Sequence, residues 1–484
     1  VNVQIRRVTA LALVMILALF ASATYTQFVK ASALRQDPRN ARTYYQSFNR
    51  DRGPIIVAGK AVASSKRVKD DFGYQRRYSK GPLYAPATGF FSVVFGMTGI
   101  EAAYDEVLQG TADSLFLSRI QDLVTGRQRH GGGVELTLDP DVQTTAWDAL
   151  GDQRGAVIVL NATTGEILAM VSKPSFDPAD LAGHDTAEVN KIYQKLLKNK
   201  HNPLWNRAIS GNLYSPGSTF KLITAAAALE SGDYTSESVL PAPVTLRLPG
   251  TEVDLGNMGD SQCSSVGEMT MIQALAISCN TAFANLGMEL GEDALREQAA
   301  KFGFSQALSI PTYVTPSTLG EDMDEPQVAM SAIGQFDDRV TPLQMAMVAA
   351  AAVNEGVIMA PHLVRTLRNS DLSVVKTIDP VPFATAISPS TARQLRAMMV
   401  QVVTSGSGSR AAIPGVEVGG KTGTAEKTKG QPPDNWFVSF ADDGDTRLAV
   451  AVVVEDGGKA GMSGTGGAVA APIARAVMEA AMAK

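Results

Sequence analysis

The chain has 484 residues, 45% of them hydrophobic, with a net charge of −5 and four histidines. That length suits two domains or one large one with a sizeable core. The charge gives no case for nucleic acid, and His130, His184, His201 and His362 are too scattered for a metal-ligand spacing, so no nucleic-acid partner, catalytic metal or cofactor is expected.

The charge is unevenly spread. Residues 1–134 carry 18 Lys and Arg against 9 Asp and Glu, a net of +9, while residues 135–484 carry 25 against 39, a net of −14. A basic N-terminal part is either drawn to anionic lipid or is a solvated face. Within it, Arg6 and Arg7 precede an uncharged segment from Val8 to Val29. At about 1.5 Å per residue that segment spans a bilayer. The reading is a transmembrane anchor over 8–29 after a cytoplasmic stretch, 1–7. A rival reading is a signal peptide, since the apolar core ends in Ala21-Ser22-Ala23, an A-x-A pattern. Either way the remainder is exported. Lys30, Arg35, Arg39 and Arg42 follow the segment and blur the charge asymmetry, but a large downstream domain translocates regardless. The expected location is the cell membrane, single-pass, with the bulk of the chain extracytoplasmic.

Residues 52–65, "RGPIIVAGKAVASS", read as a β-hairpin, and 99–110, "GIEAAYDEVLQG", have helical spacing and end in glycine. The glycine-rich break "RQRHGGG" (127–133) places a domain boundary, giving a smaller β-rich domain over 30–134 and a larger one over 135–484. In the latter, Asp139 or Asp141 caps a helix, and 155–172 form a hairpin around "NATTG". From Ser215 to about Gly356 the pattern is helical and alanine-rich. Cys263 and Cys279 fall there; outside the cytoplasm such a pair reads as a disulfide, with two buried thiols as the alternative. The C-terminal part returns to strands, "GVEVGGKTGTAE", "NWFVSFA" and "RLAVAVVVE", and closes with an amphipathic helix. Short turns between these strands imply antiparallel pairing. The economical α+β assembly is one mainly antiparallel sheet built from both ends of the domain, with helices inserted between them and a site in the cleft.

Three pieces carry chemistry. In "SPGSTFKLITAAAALE" (215–230), Ser218 and Lys221 are one helical turn apart and face the same way. A serine hydroxyl needs a base, and a lysine desolvated at a helix N-terminus, where the dipole disfavours its charge, is a candidate. Alone this means little, because roughly one S-x-x-K is expected by chance in such a chain. The second piece is Ser278-Cys279-Asn280, where small polar residues interrupt a helix; the bland reading is a pair of caps. The third is "GGKTGTAE" (419–426). Its glycines mark close backbone approach, and Lys421, Thr422 and Thr424, flanking Gly423, offer a charge and two hydroxyls to a carboxylate. "GVEVGGKT" also matches the phosphate-loop pattern, but "TGTAEKTKGQPPD" cannot form the helix that such a loop must open.

The order S-x-x-K, S-x-N, K-T-G, separated by 60 and 143 residues, is the signature of the penicillin-recognising serine acyltransferases. The chain resembles a class B penicillin-binding protein, above all the short actinobacterial type. "RDRGPI" (50–55), "RRYSKG" (76–81) and "GMTGIEAAYDEVLQG" (96–110) resemble the three motifs of that class's non-catalytic domain, with Ser79 where proline is usual; Phe336 in "AIGQF" stands where a small residue is common.

The resemblance implies a transpeptidase domain with a five-stranded sheet flanked by helices. It implies an acyl-enzyme on Ser218, activation by Lys221, and proton transfer and substrate positioning by Ser278 and Asn280. Lys421, Thr422, Gly423 and Thr424 would form the carboxylate-binding strand, and the backbone N–H groups of Ser218 and Thr424 the oxyanion hole. The implied activity is DD-transpeptidation of peptidoglycan stem peptides with release of D-Ala, inhibited by β-lactams. A polytopic membrane glycosyltransferase and other wall-synthesis proteins are the implied partners. A carboxypeptidase or β-lactamase is a hydrolytic alternative, and a non-catalytic β-lactam sensor a third. Class A β-lactamases need an added glutamate in an E-x-x-L-N piece; after Asn280 only Glu289 and Glu292 follow closely, without such a piece.

Overall fold

A computed structural model describes residues 2–30, 41–112, 115, 130–211, 213–428 and 430–483. Arg35, Arg39 and residues 127–129 of the expected break lie outside them. Helix α1 (Asn2–Thr24) continues through a π-helical turn to Val29, a stretch long and apolar enough to cross a bilayer, with no residue buried. Strands β1 (Ile55–Val57) and β2 (Lys60–Arg67) form the expected hairpin. Ala58 and Gly59 both take positive φ, the handedness a two-residue hairpin turn requires. Strand β3 (Tyr74–Tyr78) pairs with β2, and β4 (Gly133–Leu136) runs parallel to β1.

The three N-terminal stretches meet at one buried carboxylate. Glu101 has no exposed surface and accepts from Arg52 Nε at 2.6 Å, Arg76 Nε at 2.7 Å and Tyr78 Oη at 3.1 Å. Arg52 also reaches Asp105 at 2.5 Å. Burial pushes the Glu101 pKa up, but the two guanidiniums outweigh it and hold the carboxyl below its ordinary value.

Helix α2 (Pro140–Leu150) is capped by Asp139, whose carboxylate accepts from the Asp141 and Val142 amides. Next come β5 (Gly155–Asn161) and β6 (Ile167–Lys173), the hairpin around "NATTG". The helices follow as α3 (Lys221–Ser231), α4 (Met271–Ile277), α5 (Asn280–Lys301), α6 (Glu325–Ser331) and α7 (Pro342–Val353). The alanine-rich stretch is less continuously helical than its composition suggests. Short strand pairs interrupt it, among them Val239–Pro241 with Glu268–Thr270 and Thr245–Arg247 with Asp254–Gly256. There "PAPVTLRLPGTEVDLG" alternates and carries Pro and Gly, which favour turns over helix. Strands β7 (Val364–Arg368) and β8 (Val374–Thr377), then α8 (Pro389–Thr404), precede β9 (Glu417–Ala425), β10 (Asp434–Asp442), β11 (Arg447–Val454) and α9 (Gly466–Met482).

Two sheets organise the molecule. The first has the order β8-β7-β4-β1-β2-β3 and takes strands from both sides of residue 134, since β4 runs across that position. The second is the five-stranded antiparallel sheet β9-β10-β11-β5-β6, assembled from both ends of the larger region. Its central strands are buried on both faces, which is why they read as apolar runs. Residues of α2 and α9 pack on one face, while α7 lies on the other. Strand β9 is left at the edge, beside the turn that carries Ser218.

Candidate active site

Ser218 lies in a 3₁₀ turn, Gly217–Phe220, and α3 begins only at Lys221. Ser218 and Lys221 are thus three residues apart across the junction of that turn with α3, the spacing that puts two residues on one face. The turn is held on two sides. Gly217 N donates to Gly334 O at 2.9 Å, Ser215 Oγ donates to the same oxygen at 2.7 Å, and Trp436 Nε1 on β10 donates to Ser215 O at 3.0 Å. Gly217 has φ of 52°, and a Cβ on it would meet Thr424 O and Ala425 of β9 at 3.2 Å. A Cβ on Gly334 would fall 2.1 Å from Gly217 O.

Lys221 is fully buried. Its Nζ donates to Asn280 Oδ1 at 2.7 Å and Ser278 O at 2.9 Å, with Ser278 Oγ at 3.4 Å. Burial drives its pKa well below the ordinary lysine value, and the nearby Lys421 charge pushes it further down. The partly exposed Ser218 hydroxyl has no hydrogen-bond partner among the described residues. Lys221, expected as the base for Ser218, is thus an amine biased toward its neutral form.

Ser278 ends α4 in the left-handed conformation, φ 66°, and Asn280 begins α5. The break turns both side chains toward Lys221. Cys279, between them, is joined to Cys263 by a disulfide, with 5.9 Å between the Cα atoms.

Lys421 on β9 is also fully buried, and burial lowers its pKa to about 7; its Nζ donates to Thr422 O at 3.0 Å. The Thr422 hydroxyl lies 2.7 Å from Ser407 Oγ, in the loop after α8. Thr424 is partly exposed, and its carbonyl accepts from Gln335 Nε2 at 3.4 Å. Each glycine of the strand answers to a close neighbour. A Cβ on Gly419 would lie 2.3 Å from the Phe440 ring, on Gly420 2.5 Å from the Phe437 ring, and on Gly423 2.9 Å from Thr219 Cγ2. The segment is a nine-residue strand, not a loop that opens a helix.

The structure therefore brings the three motifs together: Lys221 contacts Ser278 and Asn280, and the Ser218 turn packs on β9. Sequence reasoning left out Ser407 and Gln335, and gave Gly334 no role. "AIGQ" was the available signal for the latter two. Phe336, where a small residue is usual, turns its ring onto Gly320. Glu289 accepts from Tyr234 Oη at 2.7 Å and Glu292 pairs with Arg296, so neither carboxylate is free. Among the described residues no group of His, Cys, Asp and Glu could hold a metal ion.

A buried amine whose charge is disfavoured, three residues from a serine, can act as its base without a histidine. Penicillin-recognising serine acyltransferases work on that principle, and the layered sheet and helices are theirs as well. The chain belongs to the penicillin-binding protein transpeptidase family. Residues 155–479 match the penicillin-binding protein transpeptidase domain, and 52–134 match the penicillin-binding protein A dimerisation domain. It is 44% identical over 492 residues to the peptidoglycan D,D-transpeptidase PbpA of Mycolicibacterium smegmatis, and 41% identical over 490 residues to that of Mycobacterium tuberculosis, covering 99% of each chain. Among solved structures it is similar to the penicillin G acyl-enzyme complex of M. tuberculosis penicillin-binding protein A, with a TM-score of 0.84, 40% identity, and coverage of 90% of this chain and 100% of that one.

Proposed function

We propose that the protein is a membrane-anchored peptidoglycan D,D-transpeptidase, with the larger region (135–484) catalytic and residues 30–134 a non-catalytic interaction domain. The observation that carries this is Lys221, desolvated and held between Ser278 and Asn280 one turn from Ser218. In this reading, Ser218 Oγ attacks the carbonyl carbon between the two terminal D-Ala residues of a stem peptide while Lys221 takes its proton. The oxyanion meets the backbone N–H groups of Ser218 and Thr424. Ser278 relays the proton to the leaving nitrogen, the C–N bond breaks, and D-Ala departs. An amine of a neighbouring stem peptide then attacks the ester carbon; as the new C–N bond forms and the acyl C–O bond breaks, the proton lost by the amine passes by way of Lys221 to Ser218 Oγ. Lys421 and Thr424 hold the substrate carboxylate, with Thr422 bridged to Ser407. A β-lactam enters the first half of this sequence and stays as the acyl-enzyme.

The apolar α1 supports anchoring, and the disulfide supports an extracytoplasmic location for the catalytic region. The partner in this reading is a polytopic membrane glycosyltransferase that polymerises glycan, as the resemblance to class B penicillin-binding proteins implies. Labelling the ectodomain with a fluorescent penicillin tests the chemistry. One stable equivalent on the parent and none on Ser218→Ala is expected; no label on the parent, or label surviving on Ser218→Ala, overturns it. Rapid loss of the label would indicate a β-lactamase. A donor peptide with and without an acceptor amine then separates transfer from hydrolysis.

A further inference from the structure

Helix α5 carries Asn280 as its first residue, and the first N–H groups of any helix lack intrahelical partners. The residue at its N-cap is Cys279, which makes no side-chain cap and is committed to the disulfide. The cap comes instead from 23 residues upstream. Asn257 Oδ1 accepts from Asn280 N at 2.8 Å and from Thr281 N at 3.2 Å. Asn257 is 7% exposed and directly follows the strand Asp254–Gly256. Its own amide nitrogen faces Val244 O and Thr281 Oγ1, each at 3.5 Å, while Thr281 Oγ1 donates to Pro243 O at 2.8 Å.

The same loop sets the orientation of the Asn280 side chain. Gly256 O accepts from Asn280 Nδ2 at 3.2 Å, so the amide can present only its oxygen to Lys221 Nζ. Backbone and side chain of Asn280 are thus fixed by two adjacent residues, Gly256 and Asn257, outside every motif read from the sequence. We propose that Asn257 is a positioning residue for serine acylation: it supplies the cap that α5 lacks and so holds Asn280 Oδ1 against Lys221. This rests on the reading of Lys221 as the base for Ser218.

The test is the second-order acylation rate of full-length protein with a fluorescent penicillin, measured across pH, for the parent, Asn257→Ala and Asn257→Asp. Thermal unfolding establishes that each variant is folded. Asn257→Ala is expected to acylate about tenfold more slowly than the parent, a loss in the covalent step, because a small displacement of a positioned group is costly there. Asn257→Asp keeps the accepting oxygen and is expected to recover most of the rate. It also places an anion near Lys221, whose facing charge is otherwise Lys421, while Asp254 is already paired with Arg247 at 2.8 Å. The acid limb of the Asn257→Asp profile should therefore move to higher pH. A folded Asn257→Ala with the parent's rate and profile overturns the inference, as does Asn257→Asp as slow as Asn257→Ala. If Asn257→Ala does not fold, Asn257→Asp decides alone: an acid limb at the parent's position overturns it. A parent that fails to acylate would strike the functional reading itself, a separate result.

Discussion

Replacing Lys421 by methionine should make the protein more stable and nearly inactive. Lys421 is fully buried, its amine has one neutral acceptor, and burial lowers its pKa from 10.5 to about 7. At about 1.36 kcal/mol per pH unit, that gap costs the folded state about 5 kcal/mol at neutral pH as an upper bound. Methionine keeps most of the side-chain length and forfeits the bond to Thr422 O, about 1 kcal/mol. A net gain of about 2–4 kcal/mol follows, or roughly 3–5 °C in a unit of this size. The sign with pH is fixed by linkage. Between about 7 and 10.5 the unfolded lysine binds a proton that the folded one does not, so the penalty is nearly full below pH 7 and fades as pH approaches 10.5. Unfolding scans of parent and Lys421→Met at pH 7 and pH 10 measure this, and the advantage of the variant should shrink at the higher pH. The acylation rate of Lys421→Met should fall at least about a hundredfold, since a substrate carboxylate then meets no charge. A variant less stable than the parent at pH 7, or a stability gain independent of pH, would refute the reasoning.

Other outcomes follow from the same geometry. The acylation rate should rise with pH through a limb well below the ordinary lysine range, because Lys221 must be neutral to accept the Ser218 proton and its pKa is depressed; a pH–rate profile locates that limb. Gly423→Ala would place a Cβ 2.9 Å from Thr219 Cγ2 and Trp436 Cβ and 3.0 Å from Pro216 O, so it should push the serine turn off β9 and slow acylation by about tenfold or more in a stopped-flow assay. Glu101→Ala would leave Arg52 and Arg76 buried without their shared anion and should cost about 3–5 kcal/mol, read from denaturant unfolding, with the chemistry at Ser218 preserved in the folded fraction.

Features set by local chemistry were legible in the sequence. The hairpin around "NATTG", a cap at Asp139 or Asp141 and an antiparallel sheet built from both ends of the larger region could be read because turn composition and apolar runs leave a mark within ten residues, while the count of five strands came from the family resemblance. The order of three motifs sufficed to gather Ser218, Lys221, Ser278, Asn280 and Lys421. What could not be read is what depends on distant pairings. Helix α8 and strands β7 and β8 went unassigned, and β7 meets β4 across more than 200 residues. The Asn257 cap belongs to a helix whose own N-cap residue is engaged elsewhere, so no local rule points to it. The 3₁₀ turn at Ser218 is likewise imposed by Gly334 and β9 and not by its own residues.

The six-stranded sheet has a consequence for how the molecule carries load. Strand β1 of the small domain and β7 of the larger region flank β4 through backbone ladders, the β7 one with a bulge near Val364, and Arg368 on β7 grips Glu135 of β4 at 2.6 Å. A pull between β1 and β7 therefore loads the sheet directly. Parting the two regions means shearing several ladder bonds and an ion pair together, which fails in one step or not at all. A load applied between the two regions is thus borne by the sheet itself, and β7 keeps its orientation to β1 while the ladder holds.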